Sequence, residues 1–164
     1  MYPDANVWLV GHSLGGALAS LLGTTFGFPA VAFESPGERL AAQRLRLPMP
    51  PLSNISGLPI SPVTHVYHNA DPIPQGACTG FRSACASGGY ALETRCHLGK
   101  SIIFDTVGKI GWSVSLKNHA INKVILEVLE REQEWEEDRD VPLAVEESDC
   151  TVRRSRNIFK ASVN

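Results

Sequence analysis

One serine in this sequence lies in a tight turn flanked by glycines, a setting that can make a hydroxyl group nucleophilic. Four apolar residues, 7–10, lead into the motif GHSLG at residues 11–15, and a helix pattern of small and apolar residues follows. A strand, a sharp turn and a helix in this order hold the central serine in a strained, exposed position. Glycines two residues before and after Ser13 are expected to be necessary because larger side chains would collide with the strand and helix. The motif therefore predicts Ser13 as a nucleophile.

The residue after the serine is expected to supply part of an oxyanion site. The backbone N–H of Leu14 lies at the predicted helix N-terminus, where backbone donors and the helix dipole favour negative charge. The alternative is an ordinary glycine-rich turn in which Ser13 is a helix N-cap. The flanking strand, the helix and the additional Gly16 favour the catalytic interpretation.

An acid that could orient a histidine follows a predicted strand at residues 63–68. Asp71 lies just beyond that strand and precedes Pro72, which is where a triad acid belongs in an open α/β sheet. The structural alternative is a turn residue in an Asp-Pro step. Asp105 is the competing acid, but it is predicted to lie within a strand at residues 101–107. The sequence therefore favours Asp71.

The base must be chosen among five histidines, and the chain order of serine, acid and then histidine narrows the choice. His97 and His119 are the two that follow Asp71. His119 lies at the start of a predicted amphipathic helix capped by Asn118, where a loop can bring an imidazole over the strand ends. His97 adjoins Cys96 and better fits a role in the cysteine-bearing loop. The sequence therefore favours His119.

Together these residues predict acyl transfer at an ester carbonyl. Ser13 attacks, His119 takes and returns the proton, and Asp71 holds the imidazole and stabilises its cation. Such chemistry uses side chains and backbone donors alone, so we predict no cofactor. The cysteine and histidine spacings match no zinc motif, so we predict no metal site either.

The elements that would position these residues are those of an α/β fold. A strand, the helix after Ser13 and a second strand within residues 29–36 predict a βαβ unit with parallel strands. The proline-rich residues 48–62 are expected to form an irregular cover. In the α/β-hydrolase fold several strands precede the nucleophile strand, whereas only residues 1–6 do so here. We therefore expect the C-terminal part of an α/β-hydrolase fold with its N-terminal strands missing.

Charge divides the chain near its C-terminal end. The 164 residues have a net charge of −2, but residues 127–149 carry eleven acidic and two basic side chains. Residues 150–164 carry four basic side chains and no acidic one. We therefore predict a partial hydrolase domain over residues 1–137 and a disordered tail, acidic and then basic, over residues 138–164.

The composition argues against nucleic-acid binding and against a membrane-spanning segment. Residues 1–126 contain no basic face with interleaved aromatic residues, so nucleic acid is not an expected partner. Residues 7–33 contain no charged side chain, but five glycines and Pro29 interrupt the apolar run. This segment is therefore not predicted to span a membrane.

The cysteines and one asparagine bear on the cellular compartment. Three cysteines lie close together, at positions 78, 85 and 96, and a fourth lies apart at position 150. Either a disulfide within residues 78–96 or free thiols in a loop is compatible with this spacing. Asn54 begins an Asn-Ile-Ser triplet, which is an acceptor for N-glycosylation and favours a lumenal setting.

Several segments of the sequence resemble a known enzyme family. GHSLGGALASLL at residues 11–22, HNADPIP at residues 68–74 and a histidine before a final helix are similar to the class 3 (fungal triacylglycerol) lipases. More narrowly, these segments and CHLGKSIIFDTVGKIGW at residues 96–112 resemble the autophagy-related vacuolar lipases of fungi. The resemblance carries the nucleophile, acid and base to the residues already chosen, Ser13, Asp71 and His119.

The resemblance also implies a cellular role. It implies a glycosylated lipase or phospholipase that degrades autophagic and multivesicular-body membranes in the vacuole lumen, with membrane lipids as substrates. The family has an N-terminal anchor, early strands and an oxyanion loop, which are missing here, and the tail at residues 151–164 departs from the family pattern. The alternatives are an inactive or partner-dependent fragment of such a lipase, and a generic serine esterase or thioesterase.

Overall fold

Four parallel strands and one short antiparallel strand form the central sheet. The structure, a computed structural model, describes residues 6–47, 61–76 and 96–146. The strands are β1 Leu9–His12, β2 Ala30–Phe33, β3 Val63–His68, β4 Lys100–Phe104 and β5 Val145–Glu146. They lie side by side in sequence order, and β5 pairs antiparallel with β4. The predicted α/β class is confirmed.

A helix of small residues joins the first two strands and covers one face of the sheet. This helix, α1, spans Leu14–Phe26 and buries Gly16, Ala17, Ala19, Ser20 and Gly23. Because these residues are small, the helix lies close to the strands, and a Cβ on Gly23 would lie 2.8 Å from the Cβ of Ala30. Gly27 ends the helix in the left-handed conformation, with φ of 73°. The resulting βαβ unit fixes the turn that carries Ser13.

The turn before α1 needs glycine at positions 11 and 16. A Cβ on Gly11 would lie 2.2 Å from the carbonyl oxygen of Gly15, and a Cβ on Gly16 would lie 2.9 Å from the Cβ of Ser35. A Cβ on Gly15 would have no atom within 4 Å. The expected collision at Gly15 is therefore wrong, because α1 turns away from the strand there and the close approach falls one residue later.

Gly11→Ala is expected to lower the free energy of unfolding by about 3 kcal/mol or more, because the new methyl group overlaps a backbone carbonyl that cannot move without disturbing α1. Gly15→Ala is the matched control. It places the same methyl in open space within a helix, where alanine is favoured over glycine by about 1 kcal/mol. Urea unfolding of both variants tests the assignment, and equal destabilisation would contradict it.

The opposite face of the sheet carries the main hydrophobic core. Because successive strand residues point to opposite faces, Ala30 and Ala32 face α1 whereas Val31 and Phe33 face away. The core on that second face contains Val66, Phe104, Val128 and Trp135, with Val31, Phe33, Ile102, Ile110 and Trp112 packed against it. The sheet is therefore covered by α1 on one side and by residues from the C-terminal part of the described chain on the other.

The segment after β4 differs from its prediction at one acid. The predicted strand over residues 101–107 ends at Phe104, and a short helix, α3, begins at Thr106 and ends at Ile110. Asp105 is therefore not within a strand. It is the N-cap of α3, and its Oδ1 accepts a hydrogen bond of 2.8 Å from the N–H of Gly108. A separate short helix, α2, spans Arg39–Arg44.

The segment that leads to His119 also differs from its prediction at the cap. A 3-10 turn spans Leu116–His119, followed by α4 at Ile121–Val124 and a π-helical turn at Ile125–Leu129. Ser115, rather than Asn118, caps the first turn, through a hydrogen bond from the N–H of Lys117. Asn118 is buried within that turn, where its side chain binds other loops.

The acidic run has an ordered backbone over the part that the structure describes. Trp135 is buried in the core, Glu136 and Arg139 form an isolated bridge, and β5 pairs with β4. Most acidic side chains of residues 127–146 are exposed, as expected for a solvated charge run. The domain boundary at residue 137 stays a prediction, and β5 lies beyond it.

One surface of the described chain is apolar and exposed. β1 lies at the edge of the described sheet. Beside it, the outer side of α1 exposes Leu14, Leu18, Leu22 and Phe26, and Trp8 and Val10 are also exposed. None of the helices in the described ranges has the length and apolar character needed to cross a bilayer.

Candidate active site

Three side chains from distant parts of the chain form a continuous set of hydrogen bonds near the C-terminal ends of the strands. His119 Nε2 lies 2.8 Å from Ser13 Oγ, and His119 Nδ1 lies 2.6 Å from Asp71 Oδ2. An ionised carboxylate can only accept, so Nδ1 carries the proton toward Asp71 and Nε2 accepts from the serine hydroxyl. The structure therefore brings together the serine, acid and histidine that the sequence selected.

Ser13 has a backbone conformation that residues with a side chain rarely adopt. Its φ is 56° and its ψ is −126°. It lies directly before α1, at the N-cap position, but its side chain makes no capping hydrogen bond. Its N–H donates to the carbonyl of Phe33 over 2.9 Å, and its own carbonyl accepts from Ala17 over 3.1 Å. The strained residue is thus held by the neighbouring strand and by α1, while its hydroxyl lies against His119. Leu14, the first residue of α1, follows directly.

Asp71 is fixed on both sides of its carboxylate. The side chain is fully buried, and Oδ1 accepts a hydrogen bond of 3.0 Å from the N–H of Ile73. That contact is the turn expected of an Asp-Pro step, and it coexists with the bond from His119 to Oδ2. A buried carboxylate needs such donors to offset the loss of water. The turn therefore holds the acid in place for the histidine.

The backbone around His119 is held by two other histidines. His12 donates from Nε2 to the carbonyl of His119 over 2.9 Å, and the two rings lie 4.7 Å apart between centroids. His68 donates from Nε2 to the carbonyl of Asn118 over 3.1 Å. Asn118 in turn donates from Nδ2 to the carbonyl of Ala70 over 3.3 Å. His12 and His68 precede Asp71 in the chain, so the order of serine, acid and histidine excludes them as bases and does not indicate this supporting role.

His68 functions in the neutral form. Nε2 is a donor to Asn118, so Nδ1 is the acceptor, and it receives the N–H of Ala70 over 3.2 Å. Burial lowers the pKa of His68, and the bond to the backbone of Asn118 opposes this only in part. Burial also lowers the pKa of His12. Both supports of His119 are therefore uncharged near neutral pH.

The neutral form of His68 should make the fold sensitive to acid. Its folded-state pKa is below the ordinary value of 6.5, so its contribution is fully present above pH 6.5 and is lost as pH falls through the folded-state pKa. The expected loss is at most about 1.4 kcal/mol per pH unit. Urea unfolding of wild type and His68→Gln across this range measures it. The wild-type curve should fall more steeply, and parallel curves would contradict the assignment.

The two competing residues lie in other contacts. Asp105 Oδ1 accepts from Asn69 Nδ2 over 2.5 Å in addition to capping α3, and its side chain is exposed. His97 is buried, and its Nε2 lies 3.0 Å from the carbonyl oxygen of Ser35. Of the two histidines that follow Asp71 in the chain, His119 is therefore the one bonded to Ser13.

A second buried cluster has the side chains that metals bind. Ligand-type atoms of Glu38, His65 and His97 lie within 4.8 Å of one another. Glu38 Oε1 already accepts from Ser20 Oγ and from the N–H of Leu98, and it lies 3.1 Å from His65 Nε2. Burial would raise the pKa of Glu38, but the neighbouring histidines and these bonds outweigh it and lower the pKa. The contacts favour a polar network that ties α1, α2 and β3 together.

Other predicted residues fall largely outside the described ranges. Cys96 is disulfide-bonded, so the free-thiol alternative does not hold for this cysteine. Cys78, Cys85 and Cys150, and therefore the pairing, lie outside the described residues. The predicted glycosylation site at Asn54 also lies outside them.

Comparison with known proteins gives one family. The model of the class 3 lipase family matches residues 1–36. A protein named "Putative lipase ATG15" from Mycosarcoma maydis is 54% identical over 138 residues, which cover 83% of this chain and 26% of that protein. The protein of the same name from Saccharomyces cerevisiae strain S288c is 58% identical over 130 residues, 78% of this chain and 24% of its own length.

The matched region is a limited part of those relatives. This chain spans about a quarter of the length of the curated relatives it matches. No solved structure matches it. The identity extends over most of the chain, and the family model covers the segment that carries Ser13. The chain belongs to the class 3 lipase family.

Proposed function

We propose that this chain carries the catalytic residues of a lipase that hydrolyses carboxylic esters of lipids, and that its sheet is part of an α/β-hydrolase fold. The observation that carries the proposal is the hydrogen-bonded set in which His119 contacts Ser13 at 2.8 Å and Asp71 at 2.6 Å. Membership of the class 3 lipase family supports ester hydrolysis as the reaction.

The proposed reaction is a two-step acyl transfer. Ser13 Oγ attacks the ester carbonyl as His119 Nε2 takes its proton, and the bond to Asp71 stabilises the imidazolium that forms. The imidazolium then gives the proton to the leaving alcohol, and the acyl group remains on Ser13. Water, activated by the same nitrogen, releases the carboxylic acid and restores the serine.

The developing oxyanion would be stabilised by the backbone N–H of Leu14. This residue opens α1, a helix of 13 residues, so its N–H is one of the donors that lack a partner within the helix. A hole of this type commonly uses a second donor from another loop. Loss of one such donor costs about 10²–10³ in rate, so the N–H of Leu14 is expected to contribute substantially to the reaction.

The proposed substrates are lipid esters in a membrane or at an interface. Leu14 and Leu18 lie on the helix that begins at Ser13, and they are 67% and 52% exposed. Apolar surface beside a nucleophile suits an acyl chain better than a polar substrate. We propose the breakdown of autophagic and multivesicular-body membranes in the vacuole as the role, supported by the likeness to proteins named lipase ATG15.

A fluorophosphonate probe, which phosphonylates activated serines, tests the nucleophile. Ser13→Ala is expected to abolish labelling. Ser113→Ala is the matched control because it removes the same hydroxyl group from an exposed residue, whose bond to Asn118 uses the backbone carbonyl and is kept. Labelling should be unchanged in the control. Equal labelling of wild type and Ser13→Ala would refute the assignment.

Preference for long-chain over short-chain esters in micelles would then separate a lipase from a generic esterase or thioesterase.

A pair of acid variants tests which carboxylate serves His119. Asp71→Asn is expected to slow labelling by about 10⁴, because the amide favours the wrong imidazole tautomer. Asp105→Asn should leave the labelling rate within about twofold and lower stability by about 1 kcal/mol or less, since Asp105 caps α3. The rates and the urea midpoints of both variants decide between them. A larger rate loss in Asp105→Asn would reverse the choice.

A further inference from the structure

A second buried carboxyl group faces the acid of the proposed triad. Glu34 follows β2 directly and Asp71 lies just beyond β3, so adjacent parallel strands bring both to the same edge of the sheet. Both residues are 0% exposed, and the Asp71 carboxylate lies within hydrogen-bonding reach of Glu34. Two ionised carboxylates in such a site repel each other strongly, so one of them must hold a proton.

One oxygen of Glu34 is left without a donor if the group is ionised. Oε1 accepts from the N–H of His68 over 3.1 Å. Oε2 is buried, and no donor contacts it. An ionised carboxylate only accepts, so Oε2 would then be a buried acceptor without a partner, which is costly. A carboxylic acid has a hydrogen to donate, and Asp71 is the side-chain partner with which the Glu34 carboxyl group interacts.

The position of the Glu34 carboxyl group is fixed by the backbone. The residue has a φ of 43°, which is uncommon for a residue other than glycine. The N–H of Glu34 donates to the carbonyl of Val66 over 3.0 Å. Its side chain accepts from the N–H of His68, which lies two residues after Val66 on β3. A strained conformation persists only where the surroundings hold it, and such residues cluster at active sites.

We propose that Glu34 is a positioning residue that carries a proton and donates it in a hydrogen bond to the Asp71 carboxylate. Asp71 then accepts from three sides, from Glu34, from the N–H of Ile73 and from His119 Nδ1. The site keeps one negative charge, on the carboxylate that orients the base. This inference rests on the proposed function, because Glu34 acts only through Asp71.

The charges around Glu34 favour its protonated form. Burial raises the pKa of the Glu34 carboxyl well above its ordinary value, and the facing Asp71 carboxylate raises it further, while the bond from His68 lowers it only in part. Three further ionisable groups of the described residues lie around the pair: His119, bound to Asp71, His12, which interacts with both, and Lys123, which acts on His68. His68 itself is neutral because burial lowers its pKa.

Infrared spectroscopy of the full chain measures the proton directly. At neutral pH, wild type should show the C=O stretch of a buried, protonated carboxylic acid that exchanges slowly in D₂O. The band should be absent from Glu34→Gln and present in Ser13→Ala. Absence of the band from wild type, or its survival in Glu34→Gln, would overturn the proposal. This readout does not depend on catalysis.

Labelling by the fluorophosphonate probe measures the positioning role. Glu34→Gln keeps an acceptor for His68 and a donor for Asp71, so its labelling rate at neutral pH should stay within about threefold of wild type. Glu34→Leu removes both, and its rate should fall by about tenfold or more, as for other groups that orient a catalytic side chain. At alkaline pH the wild-type rate should decline as Glu34 ionises, and Glu34→Gln should not share that decline.

Thermal unfolding of each variant separates positioning from folding. If Glu34→Leu fails to fold, the infrared band and the pH profile of Glu34→Gln still decide the question. A Glu34→Gln variant that folds but labels as slowly as Asp71→Asn would overturn the proposal. If wild type shows the acid band but no labelling of Ser13, the proposed lipase function fails while the protonated carboxyl pair stands.

Discussion

The site depends on one imidazole that is held at several points at once. His119 is bonded through both ring nitrogens, to Ser13 and to Asp71, and its backbone carbonyl accepts from His12. A ring so held has one tautomer and one orientation, which is what a base for a serine hydroxyl requires. The groups that hold it come from β1, from the turn after β1 and from the segment after β3, and His119 itself ends the 3-10 turn. The site therefore forms only when these elements are assembled.

The parallel sheet explains how groups so far apart in the chain meet. Parallel strands place their C-terminal ends along one edge, and the side chains that follow those ends converge there. Ser13 follows β1, Glu34 follows β2 and Asp71 follows β3. The small residues of α1 let the helix approach the sheet closely enough for the strained turn at Ser13 to form. The close packing of α1 on the sheet therefore determines both the strained backbone at Ser13 and the geometry of the site.

Burial makes the polar groups of the site depend on one another. Asp71, Glu34 and His68 are all fully buried, so each must find partners within the protein. His68 is kept neutral and Glu34 protonated, which leaves the charge on Asp71. Removing one member therefore alters the protonation or orientation of the next, and single substitutions here should not act additively.

The sequence predicted the three candidate catalytic residues, because the chemistry restricts their types, their positions and their order in the chain. The motif around Ser13, the acid after a strand and the chain order were sufficient to select Ser13, Asp71 and His119, which the structure brings together. The strand at Val63–His68 also has its predicted bounds. These features depend on local pattern and on the connectivity of parallel strands, both of which can be read from a sequence.

The features that the sequence did not predict depend on tertiary contacts. Gly15 faces open space and Gly16 carries the close approach because of how α1 lies on the sheet. Asp105 was predicted within a strand but caps α3, and Asn118 was predicted as a helix cap but lies within the 3-10 turn. The ends of these elements are set by packing. Glu34 could have been noticed, because it follows a strand and shortly precedes a proline, as Asp71 does.

Proton magnetic resonance of the full chain shows whether the His119 ring is held by Asp71. A hydrogen bond as short as that between His119 Nδ1 and Asp71 Oδ2, at 2.6 Å, should give a slowly exchanging proton resonance far downfield of the amides. This resonance is expected in wild type and in Ser13→Ala, and it should be lost in Asp71→Asn. Its absence from folded wild-type protein, or its persistence in Asp71→Asn, would show that Asp71 does not hold His119.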